Sequence, residues 1–155
     1  MTKILFICHG NICRSPMAEF MCKDKAKKLG IENKIYVESA ATSTEEIWNG
    51  VGNPVYPPAR EMLLKHNISC EGKRARQLTI DDYENFDLLI VMDRNNMKNS
   101  LRILGADPDN KLHMMLEYAG ENRDVADPWY TGDFQATWDD IEDGLEGLFS
   151  ELNIS

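Results

Sequence analysis

Apolar positions along the chain fall into two kinds of run. Short, nearly unbroken runs occur at residues 3–8 (Lys-Ile-Leu-Phe-Ile-Cys), 34–38 (Lys-Ile-Tyr-Val-Glu), 86–92 (Phe-Asp-Leu-Leu-Ile-Val-Met) and 111–115 (Lys-Leu-His-Met-Met). Their length and β-rich composition read as buried strands, most strongly at 86–92. Between them the spacing is helical. Ser15-Pro16 opens a helix with proline at its first position; Met17, Phe20, Met21 and Leu29 can share one face, and Gly30 ends it. Further helices are expected at 59–66 with Asn67 closing the end, at 81–84, at 94–104 before Gly105, and at 135–152. In the last, Trp138, Ile141, Leu145, Leu148 and Phe149 form an apolar stripe. Residues 39–58, with three prolines and two glycines, and residues 121–134 read as loops.

Strands alternating with helices predict a three-layer α/β domain, a mostly parallel sheet covered on both faces. The 155 residues suit one domain spanning 1–155, without repeats or linkers. A chain of this size buries roughly 68–70% of its unfolded surface and needs neither disulfide nor metal to hold a core.

Net charge is −9, which argues against nucleic acid or an anionic membrane as partner. No apolar run approaches the ~20 residues of a membrane span. The opening apolar stretch is too short for a signal peptide, so a cytoplasmic location is expected. An anionic substrate must then be held by a local positive site against the average field. The four cysteines form no CxxC pair, which argues against a zinc site. Cys22 and Cys70 read as buried reduced thiols. His66 and His113 have no Cys or His at metal-ligand spacing and read as structural or solvated, so no metal is expected.

The segment Cys8-His9-Gly10-Asn11-Ile12-Cys13-Arg14-Ser15-Pro16 joins the first strand to the first helix. Open α/β sheets bind ligands beyond the carboxyl ends of their strands. Gly10 and Asn11 tolerate backbone conformations closed to most residues, so the loop can curl until successive N–H groups point inward as an anion nest. The helix amino end adds partial positive charge, and Arg14 a planar fork for two phosphate oxygens. Phosphate binding is therefore expected from His9, Gly10, Asn11, Ile12, Cys13 and Arg14. Cys8 sits where this field converges, and the field favours the thiolate, the attacking form of the side chain. Ser15 can donate to the same sulfur. Cys13 lies close enough in sequence to act as a redox partner of Cys8 if the loop curls.

A thiolate attacking an aryl phosphate needs a proton donor for the leaving oxygen. Two Asp-Pro pairs present fixed loop carboxylates, Asp107-Pro108 and Asp127-Pro128. Asp107 lies in a plain polar turn; Asp127 is followed by two aromatic residues and is the candidate acid and base. Asp93 follows the third strand and reads as a helix cap. Ile12, Trp48, Trp129 and Tyr130 are candidates for the walls of a cleft that takes a phenyl ring, and Trp138 is placed in the core.

On these motifs the chain resembles the low-molecular-weight protein tyrosine phosphatases, over essentially its whole length. The loop at residues 8–16 is similar to the family signature, Glu38-Ser39-Ala40 to the end of its second strand, and Asp127-Pro128-Trp129-Tyr130 to its acid loop. The resemblance implies a four-stranded parallel sheet of order 2-1-3-4, a phosphate-binding loop after the first strand, and no metal or organic cofactor. It also implies catalysis by Cys8, Arg14 and Asp127, with Asn11, Ser15 and Ser39 in support. The partner it implies is a phosphotyrosine protein or a small aryl phosphate, with a monomer as the expected state. Two features depart from the family: a lengthened 39–60 loop, and Tyr56-Pro57-Pro58-Ala59-Arg60 where many relatives carry Pro-Asp-Pro-Arg.

Three rivals share the loop. Protein-arginine phosphatases resemble this chain but carry threonine where it has Ile12, and isoleucine suits an aromatic leaving group. Arsenate reductases need a later pair of cysteines, whereas Cys70 stands alone. A phosphate-binding module without activity has no use for nucleophile, clamp and acid together.

Overall fold

The computed structural model describes residues 1–152. Its central strand is β1 (Thr2–Cys8), buried at every position from Ile4 to Cys8. A strand apolar on both faces needs cover on both. Ile4, Phe6 and Cys8 enter one core; Leu5 and Ile7 enter the other. β1 pairs in parallel with β2 (Ile35–Ala41) on one side and with β5 (Leu88–Val91) on the other, and β6 (Leu112–Met114) adds in parallel to β5. The order is β2-β1-β5-β6, which is 2-1-3-4 when only the strands of this sheet are counted, as expected.

The first core is closed by α1 (Arg14–Lys28), α2 (Pro57–Lys65) and α6 (Phe134–Leu152). The second is closed by α3 (Asp81–Asn85) and α4 (Arg94–Leu104). The strand order reverses between β1 and β5, the place where an open α/β sheet leaves a crevice at its carboxyl edge. Cys8 ends one of these strands and Asp93 follows the other. Among the described residues no helix is long and apolar enough to cross a membrane.

Several local expectations are corrected. β2 runs three residues past Glu38, because its ladder with β1 continues to the pair Cys8–Ala41. The expected 39–58 loop contains an antiparallel hairpin, β3 (Ile47–Trp48) and β4 (Val51–Gly52). Its turn is Asn49-Gly50, with φ of 51° and 79°. That is the dipeptide a tight two-residue hairpin requires. The 121–134 loop holds a short helix, α5 (Pro128–Thr131), and a 3-10 helix (Met115–Ala119) replaces the end of the last strand. The buried face of α1 is Met17, Ala18, Met21, Cys22 and Ala26, while Leu29 is exposed. α2 starts earlier than residue 59, since Pro57 and Pro58 fill positions where a missing N–H does no harm. Asn67, at φ 62°, closes α2 by donating to Leu64 O. Trp138 is core, and the His66 ring stacks on it at 3.8 Å. His113 bonds Glu117 and the Asn110 carbonyl.

Candidate active site

The loop after β1 is turned inside out by its neighbours. The carbonyls of Cys8, His9 and Ile12 face away and accept the N–H groups of Thr42, Ser43 and Tyr56. Asn11 takes a left-handed conformation, φ 59°. With carbonyls outward, amides turn inward: the N–H of Asn11 donates to Cys8 Sγ at 3.3 Å and that of Ser15 at 3.4 Å. Among the described residues, the N–H groups of Gly10, Ile12 and Cys13 meet no protein acceptor. Ser15 Oγ lies 3.0 Å from the same sulfur.

The directions of these bonds follow from one fixed donor. The N–H of Arg76 can only donate, and it reaches Asn11 Oδ1 at 3.1 Å. Asn11 Nδ2 therefore faces the other way and donates to Ser15 Oγ at 2.8 Å and Ser39 Oγ at 2.9 Å. Each hydroxyl keeps its own proton to give. Ser15 gives it to Cys8 Sγ; Ser39 gives it to Glu19 Oε1 at 2.5 Å. Glu19 is buried, with Lys23 Nζ at 2.6 Å and Lys73 Nζ at 3.5 Å. Lys73 also donates to Ser39 O at 2.9 Å. The sulfur thus stands at one end of a hydrogen-bonded chain through Ser15, Asn11, Ser39 and Glu19 to Lys73.

Arg14 is buried, its side chain 3% exposed. Nη1 donates to Asp93 Oδ2 at 2.8 Å and to Val125 O at 2.8 Å, while Nη2 lies 3.5 Å from Asp127 Oδ2. Burial pulls the guanidinium down, but the charges of Cys8, Asp93 and Asp127 outweigh it and hold Arg14 above its ordinary value. Asp93 does cap α4, accepting from Asn96 N at 2.7 Å, and its other oxygen anchors Arg14. Asp127 caps α5 by accepting from Trp129 N at 3.0 Å, which leaves Oδ2 facing the cleft. Asp107, as read, organises a turn, accepting from Tyr83 Oη and from Lys111 and Leu112 N.

Cys8, Arg14 and Asp127 line one cleft of about 120 Å³. Its remaining walls are His9, Gly10, Ile12, Cys13, Trp129 and Tyr130, together with Glu45 and Glu46. Trp48 is not brought there. The Asn49-Gly50 turn carries it to the hairpin tip, where it is 84% exposed. The wall expected from that aromatic is supplied instead by Glu45, bonded to His9 Nε2 at 3.0 Å, and Glu46, which accepts from Asn53 Nδ2 at 3.0 Å. Gly10 passes so close beneath Glu46 that an added Cβ would lie 3.2 Å from its Cγ. Trp129 is steadied by Tyr56, ring centroids 4.8 Å apart. Cys13 shares the cleft, and burial, helped by the charge of Cys8, pushes its thiol well up. Cys22 is pushed up to about 12 by burial, as an inert core thiol should be. Asn11 and Ser39 are buried behind the loop and do not line the cleft. Sequence reasoning missed Glu19, Lys73, Arg76 and Tyr56, whose positions along the chain carry no signal of a site assembled from six separate segments. Among the described residues no cluster of three or more His, Cys, Asp or Glu side chains is placed to hold a metal ion.

A thiol, an arginine and a carboxylate converging on one strand-to-helix loop of an open α/β sheet define a class, the enzymes that work on phosphate monoesters. Within it, the chain belongs to the family described as low molecular weight phosphotyrosine protein phosphatase, whose model matches residues 3–155. It is 37% identical over 154 residues to the low molecular weight protein-tyrosine-phosphatase YfkJ of Bacillus subtilis, covering 98% of this chain and 96% of that one. The crystal structure of YfkJ superposes with a TM-score of 0.92 over 99% of this chain and 95% of that chain, at 36% identity. A low molecular weight protein tyrosine phosphatase from Streptococcus pyogenes gives a TM-score of 0.85 at 37% identity, over 98% of this chain and 93% of that one. The arginine phosphatase YwlE shares the fold at lower identity, 28%, with a TM-score of 0.82 over 98% and 96% of the two chains.

Proposed function

We propose that the protein hydrolyses phosphotyrosine through a phosphate ester of Cys8. The observation that carries this reading is the sulfur of Cys8 at the floor of the cleft, receiving two backbone N–H groups and the Ser15 hydroxyl, with Arg14 and Asp127 beside it. A phosphate above the sulfur meets the inward N–H groups of the loop, and its charge competes with Asp127 for Arg14 Nη2. Cys8 Sγ attacks phosphorus and the bond to the phenolic oxygen breaks. Asp127 gives that oxygen its proton. The same carboxylate then takes a proton from water, the water oxygen bonds to phosphorus, and the S–P bond breaks to return the thiolate. Ser15 and the two N–H groups stabilise that thiolate as leaving group, and Asn11 keeps Ser15 turned toward it.

A tyrosine substrate is favoured by Ile12, which lines the cleft together with Trp129 and whose side chain offers only apolar contact. A cytoplasmic setting fits chemistry that depends on a reduced Cys8. Turnover of phosphotyrosine, phosphoserine and phosphoarginine peptides tests the reading: phosphotyrosine should be preferred, and Cys8→Ser should bind phosphate without turning over. Asp127→Asn should be most damaging for esters with a high-pKa leaving group, by roughly 10²–10⁴-fold on phenyl phosphate. Turnover by Cys8→Ser within a hundredfold of wild type, or a preference for phosphoarginine, would reject it.

A further inference from the structure

Beside the catalytic cleft lies a second, larger cavity of about 490 Å³. Segment 53–57, Arg60 in α2 and segment 70–73 wall it, and Ile12, Glu46 and Trp129 line both it and the cleft. The two are therefore adjacent, with these three residues between them as a shared rim. Its walls are pinned by backbone bonds: Tyr56 N donates to Ile12 O and Ala75 N to Asn53 O, while Pro54 and Arg74 form an antiparallel bridge. Val55 gives it a buried apolar wall, and Tyr56 is held by its contact with Trp129.

The charged groups divide by position. Glu46 stands on the shared rim. Lys73 is already engaged by Glu19 and Ser39 O. Glu71 and Arg60 line the groove and not the cleft, and among the described residues neither forms an ion pair. Among the described residues Arg60 is the one cation lining the groove without a carboxylate partner, and Glu71, equally unpaired, is the groove's own acid.

We propose that this groove binds the polypeptide flanking a phosphotyrosine, with Arg60 receiving an acidic side chain of that polypeptide. The inference rests on the phosphatase reading above and makes the substrate a protein rather than a free aryl phosphate. With a phosphorylated ring in the cleft, the backbone of its residue emerges at the mouth. The neighbouring residues then cross the rim formed by Ile12, Glu46 and Trp129. A small aryl phosphate ends at the rim and leaves the larger cavity unused.

Phosphotyrosine peptides with Asp at the two positions on each side, and matched peptides with Lys there, test this. For wild type, kcat/KM should favour the Asp peptide about threefold to fivefold, the upper part of the range an exposed ion pair supports. Arg60→Glu should bring the Asp-to-Lys ratio to one or below. Arg102→Glu, the same charge change on α4, should leave the ratio at its wild-type value. In Cys8→Ser, the amide resonances of Val55, Arg60 and Gly72 should shift with a phosphopeptide and stay in place with phenyl phosphate. A wild-type ratio near one, equal effects of Arg60→Glu and Arg102→Glu, or groove amides that ignore the peptide each overturn the proposal. Normal hydrolysis of p-nitrophenyl phosphate with a flat peptide ratio defeats the groove alone. No hydrolysis of any of these esters defeats the phosphatase reading beneath it.

Discussion

The guanidinium of Arg14 and the carboxylate of Asp93 meet at 2.8 Å, joining the first turn of α1 to the start of α4. With side chains only 3% and 16% exposed, the pair is poorly screened. One carboxylate serves two purposes here: Oδ2 sets the angle of the arginine, and Oδ1 caps α4.

These purposes separate by substitution. Asparagine caps a helix about as well as aspartate, so Asp93→Asn should keep the cap through its amide oxygen and replace the charged acceptor opposite Arg14 by an N–H. A hydrogen bond to a charged group contributes about 1.5–3 kcal/mol, so Asp93→Asn should lose up to that much stability, and the misaligned Arg14 should lower kcat roughly ten- to hundredfold. Asp93→Ala should show the same kinetic loss and a further ~1 kcal/mol loss of stability from the cap. Steady-state kinetics alongside thermal melts check this, and wild-type kcat in Asp93→Asn would remove Asp93 from the positioning of Arg14.

Lys73 supplies a pH signature for the network behind the loop. Burial lowers its proton affinity below the ordinary 10.5, and Glu19 only partly restores it. The unfolded chain therefore holds this proton more tightly than the folded one. The penalty is present in full below the lowered value and is relieved as pH rises toward 10.5, so wild-type stability gains in that window. Lys73→Gln has no such titration. Urea unfolding of both proteins between pH 7 and 10.5 should show wild type gaining on the variant as pH rises; parallel curves would count against a buried ammonium at this position.

The parts of this molecule that were legible in the sequence are those encoded by neighbours along the chain. The apolar run ending at Cys8 announces a central strand, the next eight residues announce the loop, and Asp127-Pro128 announces a rigid carboxylate. What was not legible is assembled across sequence distance. Asp93 shows a cap motif, and nothing local shows that Arg14, 79 residues away, takes its second oxygen. Glu19 lies on an apparently ordinary helix turn, and its burial beneath Ser39 depends on how β2 packs over α1. Trp48 misled because aromatic character suggested a cleft wall, while the adjacent Asn49-Gly50 turn, readable in advance, points the side chain outward.

Gly147 tests the packing of α6. A methyl group there would lie 1.8 Å from the carbonyl oxygen of Tyr118 in the 3-10 helix, and at Gly144 it would lie 2.8 Å from that of Met115. In an exposed helix, glycine to alanine stabilises by about 1 kcal/mol. Here the obstacle is backbone and cannot rotate away, and overpacking of this kind costs about 1–3 kcal/mol. The clash should win, so Gly147→Ala should lower Tm by several degrees in calorimetry. An increase in Tm would mean that the 3-10 helix yields freely.

Cys13 offers the last prediction. It shares the cleft with Cys8, and both are free thiols. Burial and the adjacent Cys8 charge keep the Cys13 thiol protonated at neutral pH. Peroxide attacked by the Cys8 thiolate leaves a neutral sulfenic acid, with hydroxide departing from the peroxide. That removes the charge of Cys8, one of the two main causes holding the Cys13 proton. Cys13, once deprotonated, can then attack the Cys8 sulfur; the S–OH bond breaks, water leaves with the proton released, and a disulfide forms. Protection should therefore improve from pH 6 to pH 8.5, as more Cys13 ionises. Wild type treated with peroxide and then dithiothreitol should recover most activity. Cys13→Ser should be lost faster and permanently, as Cys8 proceeds to the sulfinic acid. Equal recovery by both proteins, with no Cys8–Cys13 link in the mass spectrum, would leave Cys13 as packing beneath the loop.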